Sequence, residues 1–319
     1  MQACTHPTAR AVTLFPARDY ISGDRFEVLR CDACGLARTA PLPDASRMSA
    51  YYPPAYYGTA SARRFPAVVE LLQRALYGGR ARAVERLAGG PGRVLDVGCG
   101  RGFLLDAFRR RGWEPQGTEL DDRSAAHARE VLGLPVATGA VDRWPWPDHH
   151  FDAVVIWHVL EHLAEPQLAL ERAHRVLRPG GVLMVGVPNF ASAEARVAAA
   201  GWFHLDVPRH VVHLTPEWLG AALDATGFDV RRRSFFAPEY DAFSFVQSAE
   251  NRIGLRHNLL YDVLRGRAAK LLGSGAGPAR VAAALALALP LGLVAVPMTA
   301  LLGLAARGSS VTLYAVRRA

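Results

Sequence analysis

The chain has 319 residues, 50% hydrophobic and 21% charged, enough to bury a sizeable core, which excludes a disordered protein. Lys and Arg outnumber Asp and Glu by 37 to 29, a net charge of +8, and every cation except Lys270 is an arginine. That balance suits acidic ligands or anionic surfaces, yet no basic run interleaved with aromatics and no zinc-finger helix occurs, so no nucleic-acid partner is expected.

Residues 1–62 read as an irregular segment carrying Cys4, His6, Cys31 and Cys34, then an aromatic-proline stretch from Tyr51 to Gly58. Helical periodicity runs from near Phe65 to Leu87, interrupted at Gly78-Gly79. From Arg93 to Pro188, short apolar strands (93–97, 114–119, 135–138, 151–157 and 182–187) alternate with helices (103–111, 123–132 and 166–177). Such alternation predicts βαβ units, a doubly wound and mostly parallel α/β sheet, and ligands at the carboxyl ends of its strands. A histidine-rich loop (201–213), a capped helix (215–225) and a strand (228–236) follow. Residues 240–275 look helical, 281–306 carry no charge, and 311–316 form a last strand. The expected division is a cysteine-bearing segment, 1–62; a main domain, 63–239 with 308–319; and an apolar helical insertion, 240–307. Four cysteines fit a reducing cytosol, and the N-terminus lacks the charged-then-apolar pattern of a secretory signal, so a cytoplasmic protein is expected.

The segment Val94-Leu95-Asp96-Val97-Gly98-Cys99-Gly100-Arg101-Gly102 is a strand running into a glycine turn and then a helix. Glycines permit positive φ and close backbone approach, so a ligand can lie against the loop and the next helix N-terminus. The dinucleotide pattern G-x-G-x-x-G would need glycine where Phe103 stands, which disfavours a nicotinamide-dependent oxidoreductase. Asp96 precedes the first glycine, and Glu119 ends the next strand, placed to accept hydrogen bonds from two ribose hydroxyls.

These residues resemble the class I S-adenosylmethionine-dependent methyltransferases. Asp96 to Gly102 looks like their first motif, Glu119 like their ribose acid, and Thr138 to Asp142 like the segment bordering adenine. Phe151 to His162 resembles their fourth strand and the helix start behind it, and Arg175 to Gly181 the turn before their fifth. The resemblance implies S-adenosylmethionine as cofactor, held by Asp96, Gly98, Cys99, Gly100, Gly102, Glu119, Leu120, Ala140, Val141 and Trp157. It also implies methyl transfer to a small or lipid-like acceptor, most readily a hydroxyl oxygen. A non-catalytic, membrane-attached module retaining the cofactor loop is the alternative outside enzymes.

A hydroxyl acceptor with a pKa near ~10 benefits from a histidine base. The stretch Trp202 to His213 is similar to one in small-molecule O-methyltransferases. On that reading Trp202 and Phe203 give an apolar wall, Arg209 a charge for an acidic substrate, and His210 the base, with His204 a further candidate. The alternative is that these histidines only cap turns or bond backbone. His158-x-x-Glu161-His162 spells a zinc-peptidase signature, and on a helix the two histidines would share a face. Ubiquinone-biosynthesis-type O-methyltransferases resemble this string with Glu at the first position and can use a divalent metal there, a pattern from which His158 departs.

Cys31-Asp32-Ala33-Cys34-Gly35 has the form of a zinc knuckle, and Cys4 and His6 would complete a tetrahedral set with Cys31 and Cys34. A metal-free remnant is the alternative. Pro290 and Pro297 predict that 281–306 folds as a hairpin of two short apolar helices. Arg280 and Arg307 bracket the run. It would contact the inner leaflet of the cytoplasmic membrane, with cover for the catalytic domain or a second subunit as the alternatives.

Overall fold

A computed structural model describes residues 11–52, 67–139, 144–267 and 277–319. The main sheet has seven strands: β4 (Arg93–Val97), β5 (Glu114–Glu119), β6 (Val136–Thr138), β7 (Phe151–Trp157), β8 (Leu177–Pro188), β10 (Phe228–Ser234) and β11 (Ser310–Arg317). Their spatial order is β10-β11-β8-β7-β4-β5-β6. Strands β4 to β8 run parallel, and β11 inserts antiparallel between β8 and β10. The chain steps outward from β4 through β5 to β6, then returns to β7 on the other side of β4. That reversal is a topological switch point at the carboxyl ends of β4 and β7, the place where open α/β sheets bind ligands.

Alternation along the strands divides the core. Leu95, Val97, Val154, Ile156, Leu183 and Val185 face helices Pro166–Val176 (α5) and Pro216–Ala225 (α7). Val94, Ala153, Val155, Val182 and Met184 face helices Ala67–Ala88 (α2) and Phe103–Arg109 (α3) on the opposite side. Thr215 caps α7 by accepting from the Trp218 N–H, as Ser, Thr, Asp and Asn do at helix starts. Gly78-Gly79 does not interrupt α2, because packing against the sheet outweighs the roughly 1 kcal/mol propensity cost of each glycine.

Two expectations are corrected. Within residues 1–62, the described part is not irregular. It forms an antiparallel sheet of β1 (Ala11–Arg18), β2 (Arg25–Cys31) and β3 (Ala37–Ala40), with a short helix, α1 (Ala45–Ala50), after it. A fourth strand, β9 (Val212–His213), comes from the end of the histidine-rich loop. The apolar run is likewise one helix, Gly277–Leu304, continuous through Pro290 and Pro297. Both prolines sit on its exposed side, so the lost N–H bonds fall away from the packed face.

That long helix rests on helices Pro238–Arg252 (α8) and Leu259–Asp262 (α9); a six-residue helix, Ala193–Ala198, is α6, a five-residue one, Asp122–Ala126, is α4, and the long helix is α10. Its contact stripe is Val281, Ala284, Ala288, Leu291, Ala295, Thr299 and Leu302, spaced three or four apart, against Ala242, Phe243, Val246, Leu259 and Leu260 among others. The rest of its circumference is exposed.

Candidate active site

The glycine turn leaves β4 at the switch point. Gly98, Gly100 and Gly102 have φ of 68°, 55° and 80°, all in the left-handed region. At Gly98 and Gly102 side chains are also excluded by space. A Cβ at Gly98 would fall 2.5 Å from Val159 Cγ2, and one at Gly102 2.9 Å from Ala128 Cβ. Glu119, at the end of β5, braces the turn: Gly100 N–H donates to its Oε2 (2.8 Å) and Asp121 N–H to its Oε1 (2.9 Å). Each oxygen keeps a further lone pair for a ligand hydroxyl. Burial raises Glu119 above the usual carboxylate range.

Asp96 is buried, and its Oδ1 has no hydrogen-bond partner among the described residues. Burial, then the charge of Glu119, pushes it up to about 8. A buried, unpaired acceptor beside an open glycine turn fits a ligand that brings its own donors. Leu120, next to Glu119, is an exposed apolar side chain and offers a surface for a flat ring. Cys99 lies against Gly117, and burial pushes its thiol well up, so it packs rather than reacts. Trp157, at the end of β7, packs beneath the Arg80 guanidinium (4.1 Å) and against Gly186. Ala140 and Val141 lie outside the described residues.

His158 follows Trp157 with φ of 53°, an unusual backbone for a non-glycine residue, and its N–H donates to Gly186 O (2.8 Å). The sequence spacing puts His158 and His162 on one helix face. Instead the left-handed turn is followed by a single 3₁₀ turn, Leu160–His162, which separates them. His158 Nδ1 lies 3.3 Å from Oε1 of the buried Glu161. Burial raises Glu161, but His158 and then His162 and His210 outweigh it and hold the carboxyl at about 2. His158 Nε2 is buried and has no partner among the described residues. Its ring stands 4.5 Å from Tyr240 of α8 and 6.3 Å from His204.

The histidine-rich loop closes over this group. His210 Nδ1 bonds His204 O (2.7 Å), and its ring meets His162 at 4.8 Å. Burial, then His162, pushes His210 down to about 4; burial, then His158, pushes His204 to about 3. Both are neutral at pH 7. Glu161, His162 and His210 each bring a ligand atom within 4.8 Å of one another, a grouping that could hold a cation.

Arg209, expected from the sequence to face an acidic substrate, does not, and the structure corrects this. It is completely buried, donating to Asp206 and Asp19 (both 2.7 Å) and to Tyr51 O (3.0 Å). Asp19 belongs to the β1–β2 turn, so Arg209 ties the N-terminal sheet to the loop. Thr39 adds a second tie, donating its hydroxyl to His210 O (2.7 Å). In the cysteine turn, Gly35 N–H donates to Cys31 O and Cys31 N–H to Leu36 O. Cys31 is buried and Cys34 half-buried, while Cys4 and His6 lie outside the described residues.

A family model described as a methyltransferase domain matches residues 68–232, which span both the glycine turn and the histidine loop. The chain belongs to the class I S-adenosylmethionine-dependent methyltransferases. A probable S-adenosylmethionine-dependent methyltransferase from Mycolicibacterium smegmatis is 31% identical over 151 residues, covering 47% of this chain and 56% of that protein. A ubiquinone biosynthesis O-methyltransferase from Rhizobium etli is 31% identical over 160 residues, covering 46% of this chain and 64% of that protein. The chain thus spans between about half and two-thirds of the length of these two curated relatives. A methyltransferase structure from Archaeoglobus fulgidus superposes with a TM-score of 0.49 at 19% identity, covering 76% of this chain and 94% of the other. For this methyltransferase the nicotinamide reading falls away, and Asp96, Glu119 and the three glycines are the residues that would hold S-adenosylmethionine.

Proposed function

We propose that this methyltransferase methylates a hydroxyl oxygen of a small or lipid-like acceptor, with His158 as the base. The observation that carries the reading is the buried His158 Nε2, unpartnered, beside the turn that would hold the methyl donor. His158 is joined to that turn through Val159, which fills the space over Gly98. When bound, S-adenosylmethionine supplies an activated methyl group on a sulfonium, so the protein chiefly orients the acceptor and manages its proton.

Glu161 does for His158 what a buried carboxylate does in other acid–base sites. With Oε1 lying 3.3 Å from Nδ1, it stabilises the imidazolium formed when the acceptor proton arrives. Burial pushes His210 down to about 4 and its Nδ1 is engaged with His204 O, so it serves better to shape the pocket. The ubiquinone biosynthesis O-methyltransferase names of several relatives favour oxygen. The test is transfer of labelled methyl from S-adenosylmethionine into phenolic acceptors with and without an alkyl tail, with the methylated atom read by mass spectrometry. Label on oxygen, dependent on His158, is the expected result; label on nitrogen or carbon would end the hydroxyl assignment.

A further inference from the structure

We infer that α10 is a membrane-docking device: its exposed face lies lengthwise in the headgroup–acyl boundary of an anionic bilayer. The anomaly behind this is a helix apolar on every side but buried on only one. Between Val281 and Ala306 no residue is charged, so there is no polar face to turn to water. Leu285, Leu289, Leu293, Val296, Leu301 and Leu304 all stand out from the body; Leu289 is 72%, Leu293 73% and Leu304 86% exposed. Soluble surfaces rarely carry so continuous an apolar patch without a partner.

Length and tethering decide the orientation. Twenty-eight residues extend about 42 Å, long enough to cross a bilayer. Crossing is blocked because α8 and α9 hold one side of the helix along its course, and because β11 returns directly to the sheet between β8 and β10. A helix held in this way can present only its flank to lipid, which is the in-plane mode of amphipathic anchors.

Charge selects lipid over a second copy of the chain. After Asp262 there is no acidic residue, whereas Arg265, Arg267, Lys270, Arg280, Arg307, Arg317 and Arg318 are all cationic. Arg280, in the first turn of α10, and Arg307, just past its end, bracket the uncharged run, and both are exposed. The exposed Arg231-Arg232-Arg233 of β10 leads into Phe235-Phe236, which abuts the far end of α10: a Cβ at Gly303 would lie 2.9 Å from Phe236 Cβ. An apolar flank rimmed by arginines matches acyl chains below anionic headgroups. A helix pairing with its own copy would cover a stripe and leave the other exposed leucines wet. Two such cationic surfaces would also repel. α8 further links the two functions, since Tyr240 at its start faces His158 while its later residues seat α10. An acceptor dissolved in the bilayer would therefore reach the site from the docked side.

The experiment is flotation of the full chain with vesicles of phosphatidylcholine alone or mixed with phosphatidylglycerol, alongside light scattering without lipid. Wild type should float with the mixed vesicles, less with the neutral ones, and less as salt rises. Leu289→Glu/Leu293→Glu/Leu304→Glu should abolish flotation while its melting temperature and S-adenosylmethionine affinity stay at the wild-type values, since these side chains touch no core. Wild type that stays at the bottom of the gradient overturns the proposal. So does a triple variant that still floats, or a lipid-indifferent dimer that the triple variant splits into monomers. None of these outcomes depends on the methyl acceptor, so the docking and the hydroxyl chemistry stand or fall separately.

Discussion

The two sides of the candidate site are built on different principles. The cofactor side is local: Asp96, the three glycines and Glu119 lie within 24 residues, and backbone bonds at Gly100 and Asp121 complete it. The histidine side, where we propose that the acceptor binds, is assembled from afar. His158 follows β7, Tyr240 lies on α8, His204 and His210 come from the loop, and Asp19, Thr39 and Tyr51 hold that loop from the N-terminal sheet. The lesson is that the glycine-turn side is built by a local motif, whereas the histidine side is built by tertiary structure.

If the sides are separable, His158→Ala should lower kcat by about 10²–10⁴-fold while calorimetry finds S-adenosylmethionine affinity unchanged. Loss of both together would break the comparison. The tertiary side should also be fragile. Arg209→Met strands the buried Asp19 and the half-buried Asp206, and denaturant titration should register a loss of about 3–5 kcal/mol. A loss under about 1 kcal/mol would mean that the tie is not a buried pair of the usual kind.

On the cofactor side, Glu119→Ala removes charge-assisted acceptors worth roughly 1.5–3 kcal/mol. Affinity for S-adenosylmethionine should fall about tenfold or more, with kcat at saturation little altered. The most diffuse effect is on acid stability. His204, His210 and His213 are pushed from an ordinary 6.5 down to about 3, 4 and 3, in each case chiefly by burial. Unfolding lets them take protons at their ordinary pKa, so their contribution is complete above pH 6.5 and is lost as the pH falls toward 4 and below. Each costs up to about 1.4 kcal/mol per pH unit in that window. Melting temperature should slide steadily from pH 6.5 downward; a flat profile to pH 5 would show these rings to be hydrated.

The same contrast explains what can be read from the amino-acid order. Strands β4 to β8, the capped helix α7 and the glycine turn announce themselves through short periods and fixed spacing. The antiparallel return of β11 is legible only through the family resemblance, which implies a last antiparallel strand and leaves 311–316 as the candidate for it. Arg209 is misread from sequence because nothing in its own neighbourhood shows that Asp19, 190 positions away, takes its charge. His158 reads there as half of a metal pair, since a left-handed residue that breaks a helical register carries no sequence mark. Pro290 and Pro297 suggest a break, and only the geometry of α8 shows that both can sit on the outer side of an unbroken helix. Three residues of the N-terminal sheet pair or bond with the loop, yet those residue types are unremarkable where they stand.

The strand β9 has a consequence for how such enzymes can be rebuilt. It belongs by sequence to the acceptor loop and by pairing to the N-terminal sheet, where Ala37 sits opposite His213 and Arg38 opposite Val212. Grafting the loop alone onto a related scaffold would bring in an edge with no mate and an arginine that keeps Asp206 but has lost Asp19. Segment 11–52 and segment 201–213 therefore form one structural unit, and a graft meant to move the proposed acceptor loop has to carry both pieces.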